Sequence, residues 1–405
     1  MIGKKILILC GHYADGKYSN SICAKNLAEC FVQQGHEVRV IAWGEDDKSL
    51  TVIGGVKVCY IKEPQYPLLV ERFLKKGGLL RILFMLLHAI RGVLMLPIYP
   101  NIAPGIAMRY YWKAKKFIKL DKTDTVLATY TPYDGIWAGM KFKKEYGDAI
   151  SFVTYHLDLM SSPDNSGMIR AYKIKRNKKA FKKELKYADK VLLPESANVA
   201  AHPKIKIVGF PLYVLEGKNA VSSFDFSHDS VNLTYIGSLS SSNRNPSVAL
   251  EVISRLKEIE GKKLIFHIWG ILGDKECEDS VKHSSSVIYH GMARNEEVAD
   301  LLSKSDFLLN ISNDTTYKMI PSKIFQYFAA SKSILNFVKH ADDASVPYFE
   351  KYKHSLQIDE QSALNRDNLN SIKEFLCDEY GKNLFVEKNL FENSTPQYIC
   401  NVIMN

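Results

Sequence analysis

The chain has 405 residues, 46% of them hydrophobic and 24% charged, which excludes a disordered or fibrous protein. A chain of this length is expected to divide into two domains of roughly 150–200 residues rather than build one core. Its 54 basic and 44 acidic residues leave a net charge of +10, which points to an anionic partner such as nucleic acid, anionic lipid or a phosphorylated substrate.

The N-terminus, Met1-Ile2-Gly3-Lys4-Lys5 followed by Ile6–Cys10, imitates a signal peptide, but the apolar run is too short and ends in Gly11-His12. It reads as a first buried strand. A polar loop, His12–Asn20, leads to a helix over about Ser21–Gln34 with Ile22, Leu27, Ala28 and Phe31 on one face, and Gly35-His36 closes it before a strand at Val38–Ala42. This is a βαβ unit, for which a right-handed crossover is expected. Further strands read at Thr125–Thr129, Ile150–Tyr155, Lys190–Leu193 and Ile205–Val208. Residues 1–209 are therefore expected to form an open parallel sheet wrapped by helices, an α/β domain.

Residues 210–229 carry proline, glycine and serine with little apolar periodicity and read as a linker. A second α/β series, 230–385, begins with strand Asn232–Ile236, a Gly-Ser-Asn loop over Gly237–Asn245 and a helix over about Pro246–Ile259. Strands Leu264–Ile268 and Val287–His290, helix Asn295–Ser303 and strand Phe307–Ile311 follow. Next comes Pro321-Ser322-Lys323-Ile324-Phe325-Gln326-Tyr327-Phe328, which reads as a helix start with proline in its first turn, ahead of strand Ser333–Val338. A helix start between parallel strands presents free N–H groups to an anion, and Lys323 adds a charge. Residues 386–405 read as a last helix.

Two stretches explain the charge. Between Met168 and Lys190 lie ten Lys or Arg residues against Glu184 and Asp189, a basic helix. Leu68–Tyr99 mixes Arg72, Lys75, Lys76, Arg81 and Arg91 with long apolar runs, the longest without charge being nine residues, Ile82–Ile90. A span needs about 20 apolar residues, so an amphipathic helix lying on an anionic membrane surface fits better than a crossing. A buried helix pair beside a solvated charged face is the alternative. No zinc-finger, helix-turn-helix or RNP pattern accompanies the charge, which sets nucleic acid aside. The seven cysteines (10, 23, 30, 59, 277, 377 and 400) are scattered and never spaced C-x-x-C, which fits a reducing cytoplasm and no metal site.

Ligands of open α/β sheets bind beyond the carboxyl ends of the strands. The residues there are Gly11, His12, Ser19, Asn20, Tyr130, Thr131, His156 and Asp158 in the first half, and Gly237, Ser238, Arg244, Gly270, Gly291 and the segment Asn310–Lys323 in the second. The 321–332 string resembles the P-S-K-x-F-E-Y-x-A-x-G-K-P pattern of GT-B glycosyltransferases, family 4 in particular. Gln326 stands in place of its glutamate, Ser331 of its glycine and Ser333 of its proline. Gly35-His36-Glu37-Val38, Thr154–Asp158, Tyr235–Leu239 with Arg244-Asn245, and Tyr289-His290-Gly291 resemble further segments of that family. Residues 68–104 lie outside the likeness.

The resemblance implies two Rossmann-like domains facing a central cleft, with the helix of residues 386–405 returning to the first domain. It also implies transfer of a sugar from a nucleotide-diphosphate donor, UDP-linked, to a lipid-linked or polysaccharide acceptor at the inner face of the plasma membrane. Arg244 and Lys323 would hold the diphosphate with Gly237, Ser238, Gly270, Gly291, Pro321 and Ser322 around them, and Gln326 would meet the ribose. His156 would contact the sugar or manage a proton, Asp158 is the nearest candidate base, and His12, Ser19, Asn20 and Tyr130 would form the acceptor side. No metal or resident cofactor is implied. An earlier family glutamate is replaced by Lys318, which leaves retaining or inverting chemistry open. A nucleotide-sugar epimerase of the same fold and a non-catalytic GT-B-like binding subunit remain as alternatives.

Overall fold

A computed structural model of the protein describes residues 3–14, 18–45, 50–64, 79–101, 104–158, 160, 167–214, 222–294, 296–385, 387 and 389–405. The chain forms two compact units, Met1–Pro211 together with Asn393–Asn405, and Leu212–Glu392.

The first unit runs β1 (Lys5–Leu9), α1 (Ser19–Gln33), β2 (Glu37–Gly44), β3 (Thr51–Ile53), β4 (Val56–Lys62), α2 (Leu79–Met95), α3 (Pro104–Asp121), β5 (Thr125–Tyr130), α4 (Tyr133–Tyr146), β6 (Ser151–His156), α5 (Gly167–Tyr187), β7 (Lys190–Pro194) and β8 (Ile205–Val208). Its sheet has the order β3-β4-β2-β1-β5-β6-β7-β8. Every pairing is parallel except the β3–β4 edge hairpin, which turns through Gly54 and Gly55 at positive φ. Strand β1 pairs with β2 on one side and β5 on the other, Ile6 facing Val38 and Thr125. The sheet is buried on both faces, so its central strands are almost wholly apolar, as in Ile6-Leu7-Ile8-Leu9. On α4, Gly139 lets the helix close onto the sheet, because a Cβ there would lie 2.0 Å from the Phe152 ring.

Helix α2 departs from its neighbours. Ile82, Leu83, Leu86, Ile90, Val93 and Leu94 are each at least 48% exposed, so the alternative of a buried helix pair does not hold for this segment. Among the described residues no helix is long and apolar enough to cross a membrane. Arg72, Lys75 and Lys76 lie outside the described residues.

The second unit runs β9 (Ser230–Ile236), α6 (Ser247–Leu256), β10 (Glu258–Ile259), β11 (Lys262–Trp269), α7 (Lys275–Lys282), β12 (Val287–Gly291), α8 (Val298–Lys304), β13 (Phe307–Ile311), α9 (Lys323–Ala329), β14 (Ser333–Val338), α10 (Val346–Lys351), β15 (Ser355–Asp359) and α11 (Arg366–Glu379). The order is β10-β11-β9-β13-β14-β15, with β12 also pairing β11. Helix α6 stops earlier than its apolar pattern suggests. Lys257 caps it at φ 56°, and Glu260 and Gly261 at positive φ turn the chain into the β10–β11 hairpin, so Ile259 is a buried strand residue. The expected linker is also shorter. Phe226 joins a small core with Trp269 and Leu301, and the Ser222 N–H donates to Asp300 at 2.9 Å, so residues 222–229 belong to the second unit. Residues 215–221 lie outside the described residues.

After the second unit, α12 (Pro396–Met404) rejoins the first, with Thr395 capping it through the Tyr398 N–H at 3.2 Å. Ile399, Cys400 and Ile403 are buried, and Cys400 Sγ reaches the Leu27 carbonyl on α1. Ile399→Ala is expected to lower the unfolding free energy of this unit by about 2–5 kcal/mol, read by denaturant titration.

Candidate functional site

In each sheet the strand order reverses at one place, and ligands of such sheets bind there. In the second unit this is β9, which has β11 on one side and β13 on the other. Beyond its end, Gly237 and Gly270 bring two loops into contact. A Cβ on Gly270 would sit 1.8 Å from the Gly237 carbonyl oxygen, and both residues have positive φ. Gly291 adds a third turn, its carbonyl accepting from the Gly270 N–H at 2.7 Å.

Lys323 points into this corner. Its Nζ lies 3.7 Å over the Tyr235 ring and near the position a Gly237 Cβ would take, at 3.5 Å. Its amino group is buried and has no hydrogen-bond partner among the described residues. Burial, and after it the charge of Arg244, holds its pKa well below the usual lysine range. Arg244 is steered by Asn313, whose Oδ1 accepts from Nε at 2.7 Å, and its Nη1 donates to Ser238 Oγ at 3.3 Å and more loosely to the Ser238 carbonyl at 3.5 Å. Tyr327 locks α9 in place by accepting the Ile236 N–H at 2.9 Å. Two basic side chains therefore converge, and among the described residues neither forms an ion pair with a carboxylate.

The expected helix start is corrected in one respect. α9 has seven residues with Ser322 as its N-cap, so Pro321 precedes the cap instead of lying in the first turn. The chain still turns there, the Pro321 carbonyl accepting from the Ile324 N–H at 3.3 Å. So short a helix has a weak dipole, and the anion-attracting character of the corner rests on Lys323 and Arg244. Gln326 is half-buried, and its side chain makes no hydrogen bond among the described residues. Lys318 is exposed and paired with Asp342.

In the first unit the reversal is at β1, and the expected residues gather beyond β1, β5 and β6. Asp158 Oδ2 accepts from Asn20 Nδ2 at 2.7 Å and from Thr131 Oγ1 at 3.1 Å. Ser19 and Asn20 are the first residues of α1 rather than loop residues, because Tyr18 is the extended N-cap. His12 stacks on Tyr18, ring centroids 4.3 Å apart, and meets Trp43 edge-on. His156 stacks on Tyr130 at 5.3 Å but is only 1% exposed. Its Nε2 lies 2.8 Å from Oε1 of Glu184, a fully buried carboxylate that also accepts from Thr154 Oγ1 at 2.5 Å. Glu184 was not picked out from the sequence as a site residue. Its one signal is an acid within a run of lysines on α5. His156 is thus a buried, paired imidazole, and Asp158 is the carboxylate nearer the surface.

No protein-family model and no curated protein matches the chain. Solved structures do. A glycotransferase of kitacinnamycin matches at 11% identity over 99% of this chain and 98% of that one, with a TM-score of 0.52. A glycosyltransferase from Rickettsia africae matches at 11% identity over 100% and 99%, with a TM-score of 0.51. The UDP-GlcNAc 2-epimerase from Methanocaldococcus jannaschii matches at 12% identity over 99% of each chain, with a TM-score of 0.54. The fold is GT-B.

The second GT-B unit holds one further polar device, near Gly291. His267 Nε2 lies 3.1 Å from Asn232 Oδ1, while Asn232 Nδ2 donates to Asp306 at 2.9 Å and to the Ser227 carbonyl at 3.0 Å. These contacts fix the amide, so His267 carries its proton on Nε2 and accepts at Nδ1 from His290 Nε2, 3.0 Å away. Trp269 stacks on His290 at 4.1 Å. Among the described residues no group of three or more His, Cys, Asp or Glu is placed to hold a metal ion.

Two outcomes are expected. Burial, with His290 as a second cause, pushes His267 down to about 4, so the unfolded chain takes up a proton below about pH 6.5 that the folded chain refuses. Stability is therefore full above that pH and falls as the pH drops toward 4, by up to ~1.4 kcal/mol per pH unit. Denaturant titrations at several pH values should show this slope, and His267→Gln should reduce it. For Lys323, replacing an unpartnered buried ammonium by the similarly shaped methionine should raise the unfolding free energy by about 1–3 kcal/mol in ligand-free protein.

Proposed function

We propose that the protein is a glycosyltransferase that moves a sugar from a nucleotide-diphosphate donor, UDP-linked, to a lipid-linked or polysaccharide acceptor at the cytoplasmic face of the membrane. The observation that carries this reading is the buried Lys323 amino group, without a hydrogen-bond partner among the described residues, beside Arg244. A nucleotide diphosphate supplies the missing counter-charge; Gly270 is needed for the close contact with the Gly237 loop, and the turn at Gly291 is open, with nothing within 4 Å of the position a Cβ would take. The fold likeness to glycosyltransferases is consistent with it.

In the proposed reaction the bond between the sugar C1 and the β-phosphate oxygen breaks. Arg244 and Lys323 stabilise the charge that builds on the departing diphosphate, and this stabilisation grows along the reaction coordinate. Ser322 assists at the start of α9, and Gln326 offers its amide to the ribose hydroxyls. The acceptor oxygen forms the new bond to C1 and loses its proton. Asp158, oriented by Asn20 and Thr131, is the assigned proton acceptor. His156, held by Glu184, positions the Tyr130 ring on the acceptor side with His12 and Ser19.

The test is a panel of UDP-, GDP- and TDP-sugars, with nucleotide release measured with and without a lipid-linked or oligosaccharide acceptor. Acceptor-dependent release from one donor is expected. Arg244→Ala and Lys323→Ala should each lower kcat/KM by about 100-fold, and Lys323→Met should bind UDP weakly in calorimetry although it folds more stably. Absence of turnover and of nucleotide binding across the panel overturns the reading. The likeness to a UDP-GlcNAc 2-epimerase supports a second reading, which the same panel separates: an epimerase converts the sugar of its donor with no acceptor present. Nucleotide binding without turnover would favour the non-catalytic subunit, for which Gln326 and Lys318 are the motive.

A further inference from the structure

Two segments that are remote in the sequence are joined in the first unit. The short turn Leu96–Ile98 that ends α2 rests on the middle of α5. Arg176 Nε donates to the Tyr99 carbonyl at 3.0 Å and Nη2 to the Pro97 carbonyl at 2.5 Å, while Lys173 sits over the Tyr99 ring at 5.1 Å and Asn177 Nδ2 reaches the Tyr99 hydroxyl at 3.4 Å. The apolar helix and the basic helix thus form one clamped element.

Their surfaces are complementary to one kind of partner. On α5, Lys175, Lys178, Lys179, Lys182, Lys183 and Lys186 are exposed, and at 100° per residue they fall in a stripe about 140° wide. The helix's one acid, Glu184, is buried on the opposite side with Asn177, so no negative charge interrupts the stripe. On α2 the exposed side chains are almost all aliphatic, an arrangement that is unfavourable in water, and among the described residues the helix is not long and apolar enough to cross a bilayer. Met168 and Ile169 extend exposed apolar surface onto the first turn of α5.

We infer that the clamped α2–α5 pair is a lipid-docking element. Helix α2 lies in the plane of an anionic bilayer, with its aliphatic side chains among the acyl chains, and the lysine stripe of α5 binds the headgroups. A neutral surface would leave the stripe unused, and a soluble acidic protein would leave α2 uncovered, so the combination selects a negatively charged bilayer. The inference deepens the proposed function by naming the surface from which the acceptor is taken, and it depends on that reading for nothing else.

The experiment is flotation of the full chain with vesicles of phosphatidylcholine alone and of phosphatidylcholine with about one third phosphatidylglycerol. Binding to the anionic vesicles is expected to be at least ~10-fold stronger and to weaken, without vanishing, between ~0.1 and ~0.5 M salt. Lys178→Glu with Lys182→Glu should remove most of the preference for anionic vesicles. Leu86→Glu with Leu94→Glu should weaken binding to both, and because both leucines are exposed these variants should keep the parent's melting temperature. Equal binding to both vesicles, no binding to either, or lysine reversals without effect overturn the inference. So does self-association abolished by the leucine changes in a protein that ignores vesicles, which would assign the face to a second copy. UDP calorimetry on the same samples keeps the two claims apart, since loss of nucleotide binding would sink the transfer reading and leave the docking result standing.

Discussion

Parallel strands packed on both faces by helices leave one kind of place where polar side chains can gather: the loops at their carboxyl ends. Every candidate site residue in this protein follows from that constraint. Interior positions of β1 are wholly apolar and those of β5 nearly so. Strands β9 and β13 pair their buried Asn232, Thr234 and Asn310 within the unit, and the candidate site side chains lie where the strands stop. Asp158 lies beyond β6, Asn20 and Thr131 converge on it, and Arg244 and Asn313 meet in the loops after β9 and β13. The strand order reverses at β1 and at β9, where the connections that follow neighbouring strands lead to opposite faces of such a sheet.

Much of this was readable in the residues. The apolar runs of the central parallel strands are continuous and bounded by glycine or polar loops, so Phe307–Ile311 and Ser333–Val338 were legible to the residue, as was the pairing of a small-residue loop with each strand end. The same alternation marked two α/β units, and the GT-B architecture came from the resemblance carried by Pro321–Ser333 and its companion segments. What escaped reading has physical causes. The edge strands β3, β10 and β15 are short and half-exposed, without the burial that makes a run apolar. Helix α6 carries an apolar pattern beyond its end, and only the backbone turn at Lys257 stops it.

The candidate site was legible in its cations and not in their setting. Lys323 and Arg244 stand out by residue type, yet nothing in their spacing shows that one ammonium lies over the Tyr235 ring with no partner, or that Asn313 steers the guanidinium. Glu184 was hidden for a related reason. On a helix of lysines a lone acid reads as one more exposed charge, and only the packing of α5 turns it inward to His156. The clamp of Arg176 on residues 97–99 is likewise a tertiary fact, since about eighty positions of sequence separate its partners.

Each unit buries an ionisable side chain near its candidate site, and the difference in what surrounds it bears on function. Glu184 meets His156 and Thr154 through Oε1, which fixes the geometry around Tyr130, while its Oε2 has no hydrogen-bond partner among the described residues. Lys323 meets an aromatic face and another cation, neither of which offers a counter-ion. A cation–π contact is worth about 2 kcal/mol when desolvated, less than the several kcal/mol that removing an ammonium from water costs. The deficit persists in the ligand-free protein because the fold around it is over-determined, with Tyr327 anchored on β9 and Gly237 against Gly270. Under the proposed function an incoming diphosphate would remove that deficit, and its binding would be strengthened accordingly. A lysine already dehydrated and aimed needs no reorganisation as charge moves onto the leaving phosphate, which is the condition under which electrostatic stabilisation accelerates a reaction rather than merely tightening substrate binding.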